Sequence, residues 1–220
     1  MIYYNSMKIT KLGHCCLLVE YKNLRILTDP GSFSTQAQAS LQNIHYILIT
    51  HEHSDHMHTE SIQEIIKNNP DATIITNSGV SALLAEKNIL SDILEHGQQK
   101  QYDGLLMEGY GKIHAEIFGE IGRVQNTGYL VENKFFYPGD AFTNPEKPIE
   151  ILALPVAGPW MSIKEAINYV KEVQPKYCFP VHDGVLSKEG KSVHYNWIKR
   201  TLDEGVEFIP LDEGQNYNFN

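Results

Sequence analysis

The amino-acid sequence predicts an α/β protein folded as a four-layer αββα sandwich, in which two sheets pack face to face beneath outer helices. The 220-residue chain is 42% hydrophobic and 20% charged, as expected of an ordinary globular protein with a buried core. Each half begins with short strands separated by turn residues and continues with alternating strands and helices. Because no linker or close sequence repeat separates the halves, we expect one domain over residues 1–220.

In the first half, apolar and β-branched runs bounded by turn residues predict the strands. The run that ends at Thr50 leads directly into a histidine-rich segment. Thr59 and Glu60 begin an apolar repeat with the spacing of a helix. The predicted strands are 8–12, 15–21, 24–28, 44–50 and 72–76, and the predicted helices run from 59 to about 69 and over 78–87.

The same order of elements recurs in the second half. Glycine, asparagine and proline residues separate short strands, and apolar residues at helical spacing follow them. The predicted strands are 112–118, 127–132, 134–137, 151–155 and 177–181, and the predicted helices are 163–173 and 193–202. The two halves therefore correspond in the order of their elements and not in their residues.

Composition argues against several classes of partner and compartment. The net charge of −9 and the absence of a lysine or arginine cluster argue against binding to nucleic acid. No run approaches the roughly 18 apolar residues of a membrane span, and the first four residues lack the pattern of an export signal. The three cysteines do not form a disulfide pattern. We expect a cytoplasmic protein with reduced thiols, no membrane contact and a small-molecule substrate; the sequence does not predict its oligomeric state.

Four side chains that can bind metal occur within six residues, at the predicted end of a buried strand. These are His51, His53, Asp55 and His56. Positions two apart in an extended segment project to the same side, so His51 and His53 can hold one ion. Asp55 and His56 follow the bend and can face a second ion, about 3.5 to 4 Å from the first as in two-metal hydrolases. His58 begins a helix, and we do not expect it to be a ligand.

The pattern His-x-His-x-Asp-His after a buried strand resembles the signature of the metallo-β-lactamase superfamily. Three further residues match that family's pattern in order, namely His114, Asp140 and His182. The resemblance implies the αββα fold and a dinuclear metal site. It implies that one ion is bound by His51, His53 and His114, that the other is bound by Asp55, His56 and His182, and that Asp140 bridges the two ions.

The resemblance also implies a hydrolytic reaction. Histidine and aspartate ligands without a cysteine suit two zinc ions and also accept manganese or iron(II). Two divalent ions would lower the pKa of a bound water toward ~7 and polarise the oxygen of the bond under attack. We expect the resulting hydroxide to cleave a small ester, lactone or phosphate ester. Asp55 and Asp140 are both candidates for the catalytic group that carries the proton, and the sequence does not choose between them.

Residues elsewhere in the chain resemble a narrower branch, the small bacterial hydrolases related to ascorbate-6-phosphate lactonase. They are Gly13-His14, followed by apolar residues, and Asp29-Pro30. In that branch Asp29 would accept a hydrogen bond from a metal ligand and orient it. His14 either lines the pocket or is a core histidine with its own partners. Trp160, in the run 154–161, either forms a wall of the site or packs as an ordinary buried aromatic.

Two other functions stay open at this stage. An RNA-processing nuclease or phosphodiesterase of the same fold would use the same metals, but the sequence shows no basic arm or inserted substrate-binding domain. A non-catalytic metal-binding module would have no reason to keep a full set of ligands around an open two-metal site. Both alternatives are therefore less favoured than hydrolysis of a small molecule.

Overall fold

The structure is a computed structural model that describes residues 6–220, so the interpretation of the first four residues lies outside the described part of the chain. The chain divides into two compact units. Unit 1 comprises the described residues up to Ile93 together with Leu211–Asn220, and unit 2 comprises Leu94–Pro210. Each unit is built around a seven-stranded sheet. The expectation of a single domain stays a prediction.

In each unit a run of consecutive strands is followed by alternating strands and helices. The strands are β1 (Met7–Gly13), β2 (Cys16–Tyr21), β3 (Leu24–Thr28), β4 (Tyr46–Leu48), β5 (Thr73–Thr76), β6 (Asp92–Ile93), β7 (Gln99–Tyr102), β8 (Leu105–Tyr110), β9 (Gly128–Val131), β10 (Phe135–Tyr137), β11 (Ile151–Pro155), β12 (Tyr177–Val181), β13 (Glu207–Phe208) and β14 (Asn216–Phe219). The helices are α1 (Thr35–Gln38), α2 (Thr59–Asn68), α3 (Ser78–Ala85), α4 (Ile163–Val173) and α5 (Lys188–Thr201). None of these helices is long and apolar enough to cross a membrane.

The sheet of unit 1 has the strand order β14-β1-β2-β3-β4-β5-β6. Its first three strand pairs are antiparallel and the next three are parallel. The two-residue turn between β2 and β3 is made by Lys22 and Asn23, whose φ angles are 49° and 65°. Positive φ at both positions gives a turn whose twist matches that of the flanking strands, so it closes a tight hairpin.

The sheet of unit 2 has the strand order β7-β8-β9-β10-β11-β12-β13, in which three antiparallel pairs are again followed by three parallel pairs. Its hairpins again use two residues with positive φ, Asp103-Gly104 after β7 and Glu132-Asn133 after β9. Parallel strands place their carboxyl ends at one edge of a sheet. In unit 2 this edge carries the residues that follow β11 and β12.

Each unit has its own hydrophobic core. In unit 1, α2 buries Ile62 and Ile65 in a cluster that includes Ile47 of β4 and Ile74 of β5. In unit 2 the buried face of α4 lies in a cluster with the side chains of β11, including Leu152 and Leu154. Side chains three or four residues apart share one face of a helix, which is why the apolar spacing predicted both helices.

The structure corrects one predicted strand and adds others. Residues 112–118 do not form a strand of the sheet; they belong to a long loop with an isolated bridge between Phe118 and Ile121. The strands that lead into this loop, β7 and β8, were not predicted. The side chains of β7 are mostly exposed and polar, so the segment has no alternating apolar pattern. By contrast, β11, α4 and β12 have the predicted bounds.

Candidate metal centre

The histidine-rich segment of unit 1 is a tight loop between β4 and α2. The backbone N–H groups of His56 and Met57 both donate to the carbonyl oxygen of His53, at 2.9 and 2.8 Å. A second loop lies directly against it at Gly31, where an added Cβ would come within 1.7 Å of the carbonyl oxygen of Asp55. Only glycine allows this approach, which explains the small residue after Asp29-Pro30.

Asp29 connects the loop to the end of β4 through its buried carboxylate. The backbone N–H of Thr50 donates to Asp29 Oδ1 at 2.8 Å, and the Thr50 hydroxyl donates to Oδ2 at 2.7 Å. His56 Nδ1 lies 2.6 Å from the same Oδ2. A buried carboxylate is costly unless it receives hydrogen bonds, and this one receives three. The contact between Asp29 and a predicted ligand is the one that the family resemblance implied.

The same network determines which ring nitrogen carries the proton on two histidines. The Thr50 hydroxyl gives its only proton to Asp29, so it must accept from His51 Nδ1, 3.0 Å away. His56 Nδ1 donates directly to the carboxylate. Both rings therefore have Nε2 as the unprotonated nitrogen, which is the form that coordinates a metal. Candidate ligand atoms of Asp29, His51 and His56 all lie within 4.8 Å of one another.

His53 and Asp55 complete the cluster of predicted ligands in unit 1. The rings of His51 and His53 are 4.7 Å apart between centroids, nearly perpendicular to each other. Asp55 Oδ2 lies 3.8 Å from His56 Nε2 and accepts a hydrogen bond from His14 Nε2 at 3.1 Å. The His14 side chain is fully buried. His14 is thus a buried histidine whose partner is itself a predicted ligand.

In unit 2, Asp140 follows β10 on a turn that a buried amide supports. Asn126 accepts from the Asp140 backbone N–H through Oδ1 at 3.0 Å and donates from Nδ2 to the carbonyl of Pro138 at 3.0 Å. The Asp140 carbonyl accepts from the N–H of Ala115 at 2.8 Å. This last bond ties the residue after His114 to Asp140, although the chain around His114 is a loop and not the predicted strand.

Three side chains converge on one oxygen of the Asp140 carboxylate. Trp160 Nε1 donates to Oδ2 at 2.7 Å, His182 Nε2 lies 2.9 Å from it, and His114 Nε2 lies 3.4 Å from it. His114 Nδ1 is 2.5 Å from the carbonyl oxygen of Ala115, so it carries the proton and Nε2 is the coordinating nitrogen. Unit 2 therefore brings its three predicted ligands together, and the donor atoms suit a divalent ion.

Trp160 is a residue of this cluster and not merely a packed aromatic. Its indole is 7% exposed, and its ring centroid lies 5.9 Å from that of His114 and 6.0 Å from that of His182. The ring also packs against Phe142, at 5.2 Å. Both interpretations considered for Trp160 therefore apply, since a wall of the cluster is also packed against the core.

Two residues beside the ligands have other roles. His58 precedes α2 at its N-cap position and contacts Ser61 and Glu60, at 2.9 and 3.3 Å. That His58 is not a metal ligand stays a prediction. The carbonyl of Asp183 accepts in a turn from the backbone N–H of Leu186, and the Asp183 side chain is fully buried beside Tyr195 and Lys191. It is therefore a buried anchor.

Sequence reasoning missed Thr50 and Asn126. The Thr50 hydroxyl contacts Asp29 and His51. The Asn126 amide oxygen accepts from the backbone N–H of Asp140. The sequence signal at Thr50 was its position directly before His51, at the end of a strand. Asn126 stands before Thr127 and Gly128, where it had the composition of an ordinary turn.

Comparison with known proteins identifies the family. Residues 8–182 match the family model described as a β-lactamase superfamily domain. Protein Rv0786c of Mycobacterium tuberculosis is 30% identical over 209 residues, which cover 93% of this chain and 97% of that protein. A protein of Flavobacterium johnsoniae named UPF0173 metal-dependent hydrolase is 30% identical over 225 residues, covering 95% of this chain and 98% of its own.

A solved structure supports the same fold. Igni18, described as a metallo hydrolase from the archaeon Ignicoccus hospitalis, superposes with a TM-score of 0.78 at 18% identity and covers 98% of this chain and 99% of its own. Similarity at this level of identity concerns the fold alone. The predicted fold class is confirmed, whereas the narrower resemblance to the lactonase branch stays a prediction.

Proposed function

This chain belongs to the metallo-β-lactamase superfamily, and we propose that it is a metal-dependent hydrolase of a small carboxylic ester, lactone or phosphate ester. The observation that carries the proposal is the network in which Asp29 and Thr50 fix the tautomers of His51 and His56. Partners of this kind orient ligating histidines and raise their affinity for metal. The name of the Flavobacterium johnsoniae protein supports the same activity.

We propose that the seven residues predicted from the sequence bind two divalent ions. One ion would be held by His51, His53 and His114 and the other by Asp55, His56 and His182, with Asp140 as the ligand that they would share. The assignment follows the order of the family motif. The clustering of four of these side chains within unit 1 and of three within unit 2 supports it. Zinc is the proposed metal, and manganese or iron(II) would suit the same donors.

We propose different roles for the carboxylates of Asp55 and Asp140. When bound, two divalent ions supply a water of lowered pKa and a Lewis acid for the oxygen that develops negative charge. The Asp55 side chain is 23% exposed and that of Asp140 is 3% exposed. We therefore assign proton exchange with solvent to Asp55, held in place by His14, and anchoring to Asp140. The three cysteines are buried and form no disulfide, which suits the proposed cytoplasmic location.

The test is metal analysis and a substrate panel on protein purified without chelator. We expect about two ions per chain, because seven ligands exceed the needs of one tetrahedral ion. The panel consists of lactones, carboxylic esters and bis(p-nitrophenyl) phosphate, each tested with zinc and with manganese. His56→Ala should lose about one of the two ions and more than about 90% of the activity, since hydrolysis at a two-metal site requires both ions. His58→Ala, two residues away, should retain both ions and the wild-type activity.

The outcomes separate the alternatives. Turnover of the phosphodiester alone would favour the nuclease interpretation, and full metal content without turnover of any substrate would favour a non-catalytic module. A stoichiometry of one ion or fewer after reconstitution with each metal would contradict the dinuclear site. Equal losses in His56→Ala and His58→Ala would show that the ligands within the motif are wrongly assigned.

A further inference from the structure

Unit 2 contains a cavity of about 480 Å³ at the carboxyl ends of β11 and β12. The loop after β11 forms one side and the loop after β12 forms the other. Its apolar wall consists of Val156, Ala157, Met161, Ile163, Val185 and Leu186. A volume of this size is typical of pockets that bind small molecules, which lie at this edge of α/β sheets.

The cavity adjoins the Asp140 cluster through Gly158 and Trp160. Gly158 lines the cavity, and a Cβ added to it would come within 2.8 Å of Trp160 Nε1. That same nitrogen donates to Asp140 Oδ2 at 2.7 Å. The backbone that bounds the cavity therefore lies against the indole edge that holds the carboxylate.

The polar side chains of the lining are already engaged by the protein. His194 Nδ1 donates to the carbonyl of Val156 at 2.7 Å, and the Ser162 hydroxyl donates to Glu165 at 2.8 Å in the capping box of α4. Among the described residues that line the cavity, none is an acid, a lysine or an arginine. The wall thus offers aliphatic contact and no charged group for a phosphate or a carboxylate.

We propose that this cavity binds an unbranched alkyl or acyl arm of the substrate. The substrate class would then be a medium-chain carboxylic ester or an alkyl-substituted lactone, and a phosphorylated sugar would be a poor substrate. The inference rests on the proposed function, because it takes the Asp140 cluster as part of the reaction centre. Its energetic basis is the transfer of methylene groups from water to an apolar wall.

The first experiment measures kcat/KM of the zinc-loaded protein for p-nitrophenyl acetate, butyrate and hexanoate. We expect an increase of about threefold per methylene group. Val185 and Val193 are similarly exposed, at 53% and 54%, but only Val185 lines the cavity. Val185→Trp should therefore lower the hexanoate-to-acetate ratio about tenfold, whereas Val193→Trp should leave that ratio at the wild-type value.

The second experiment does not depend on turnover. 1-Hexanol has no cleavable bond, and its binding can be followed by the NMR shifts of methionine and isoleucine methyl groups in the same zinc-loaded protein. We expect saturable shifts of the Met161 and Ile163 methyl signals with hexanol and much smaller ones with ethanol. Met57, a core residue of unit 1, serves as the control signal.

The combined results distinguish the inference from the function on which it rests. Ester hydrolysis that does not depend on chain length, together with unshifted Met161 and Ile163 signals, would overturn the cavity assignment while supporting a hydrolase. Hexanol shifts in a protein that cleaves no ester or lactone would support the alkyl cavity and contradict the proposed reaction. Val193→Trp acting like Val185→Trp would also overturn the assignment.

Discussion

Trp160 holds the Asp140 carboxylate with a neutral donor. A lysine or arginine at this position would neutralise the carboxylate and compete with metal ions for it, whereas an indole N–H orients the group and leaves its charge in place. The bond of 2.7 Å is buried, and Trp160 also contacts the rings of His114 and His182. One side chain thus positions three proposed ligands.

Trp160→Phe keeps an aromatic ring and removes the indole N–H that donates to Asp140. We expect it to weaken metal binding about tenfold, because the partners of ligands typically contribute 10- to 100-fold to affinity. The pH at which activity is half-maximal should shift as well. Competition with a chromophoric chelator and a pH–rate profile give the two measurements.

The second tryptophan of the chain provides the matched control. Trp197 lies on α5 with 53% exposure, so Trp197→Phe should change neither quantity. A Trp160→Phe protein with a lowered melting temperature but unchanged metal affinity and pH profile would reduce Trp160 to a packing residue.

At the scale of single residues, the sequence pattern predicted the candidate ligands that lie close together along the chain. His51, His53, Asp55 and His56 lie within six positions, so their pattern is visible without a structure. Thr50 and Asn126 act through hydrogen bonds to groups distant in sequence, and nothing in their immediate neighbours indicates this. The partners of the Asp183 side chain likewise lie eight and twelve positions further along the chain.

At the scale of elements, α5 is connected to the end of β12 through Asp183. The Tyr195 hydroxyl donates to Asp183 Oδ2, and Lys191 Nζ lies 3.1 Å from the same oxygen. His182, directly before Asp183, has a φ of 57°, which is unfavourable for a residue with a side chain. The anchored aspartate therefore supports a strained backbone at a proposed ligand.

Tyr195→Phe should remove the hydrogen bond to Asp183 and keep the aromatic ring that packs in the core. We expect the free energy of unfolding to fall by about 1 to 3 kcal/mol, the cost of removing a hydrogen bond to a buried charged group. We also expect metal affinity to fall about tenfold if the connection positions His182. Thermal denaturation and chelator competition measure the two effects.

Tyr217, a partly exposed residue of β14 in unit 1, is the control for the loss of a hydroxyl group. Tyr217→Phe should leave both measurements near their wild-type values. Loss of stability in Tyr195→Phe with unchanged metal affinity would mean that Asp183 supports the fold and not the ligand.

Buried strands were predicted correctly from the sequence, whereas an exposed strand was missed. The strands β11 and β12 are almost wholly buried and have continuous apolar sequences, and they were predicted with their bounds. The strand β7 has three exposed residues out of four and was missed. Residues 112–118 carry the alternating pattern of a strand, but they lie in a loop between Gly111 and Gly119, both of which have positive φ.

At the scale of the whole molecule, the two units repeat one plan. Each sheet has three antiparallel pairs followed by three parallel pairs, although the units share no visible sequence repeat. The order of elements along the chain predicted the fold class but not the pairing of the seven strands in each sheet. Whether the two units unfold together depends on their free energies of unfolding, which the order of elements does not give. This can be measured.

Cys16 in β2 and Cys178 in β12 report separately on the two cores. Both thiols are fully buried, and burial raises both pKa values, that of Cys178 to about 12. At about pH 8, a thiol with a pKa of about 12 is ionised in roughly one molecule in 10⁴, so iodoacetamide should not label it in the native state. The unfolded chain releases these protons near its normal pKa of ~8.5, so stability should fall as pH rises above that value.

Labelling therefore requires opening of the core that contains the cysteine, and its rate measures the free energy of that opening. If the chain is one cooperative domain, Cys16 and Cys178 should show the same protection in sub-denaturing guanidinium chloride, and both should fall with the same dependence on denaturant. Mass spectrometry of the two peptides measures this, with labelling in concentrated denaturant as the reference. Protection that differs by more than about tenfold between the two cysteines would contradict the single-domain prediction and show that the units open independently.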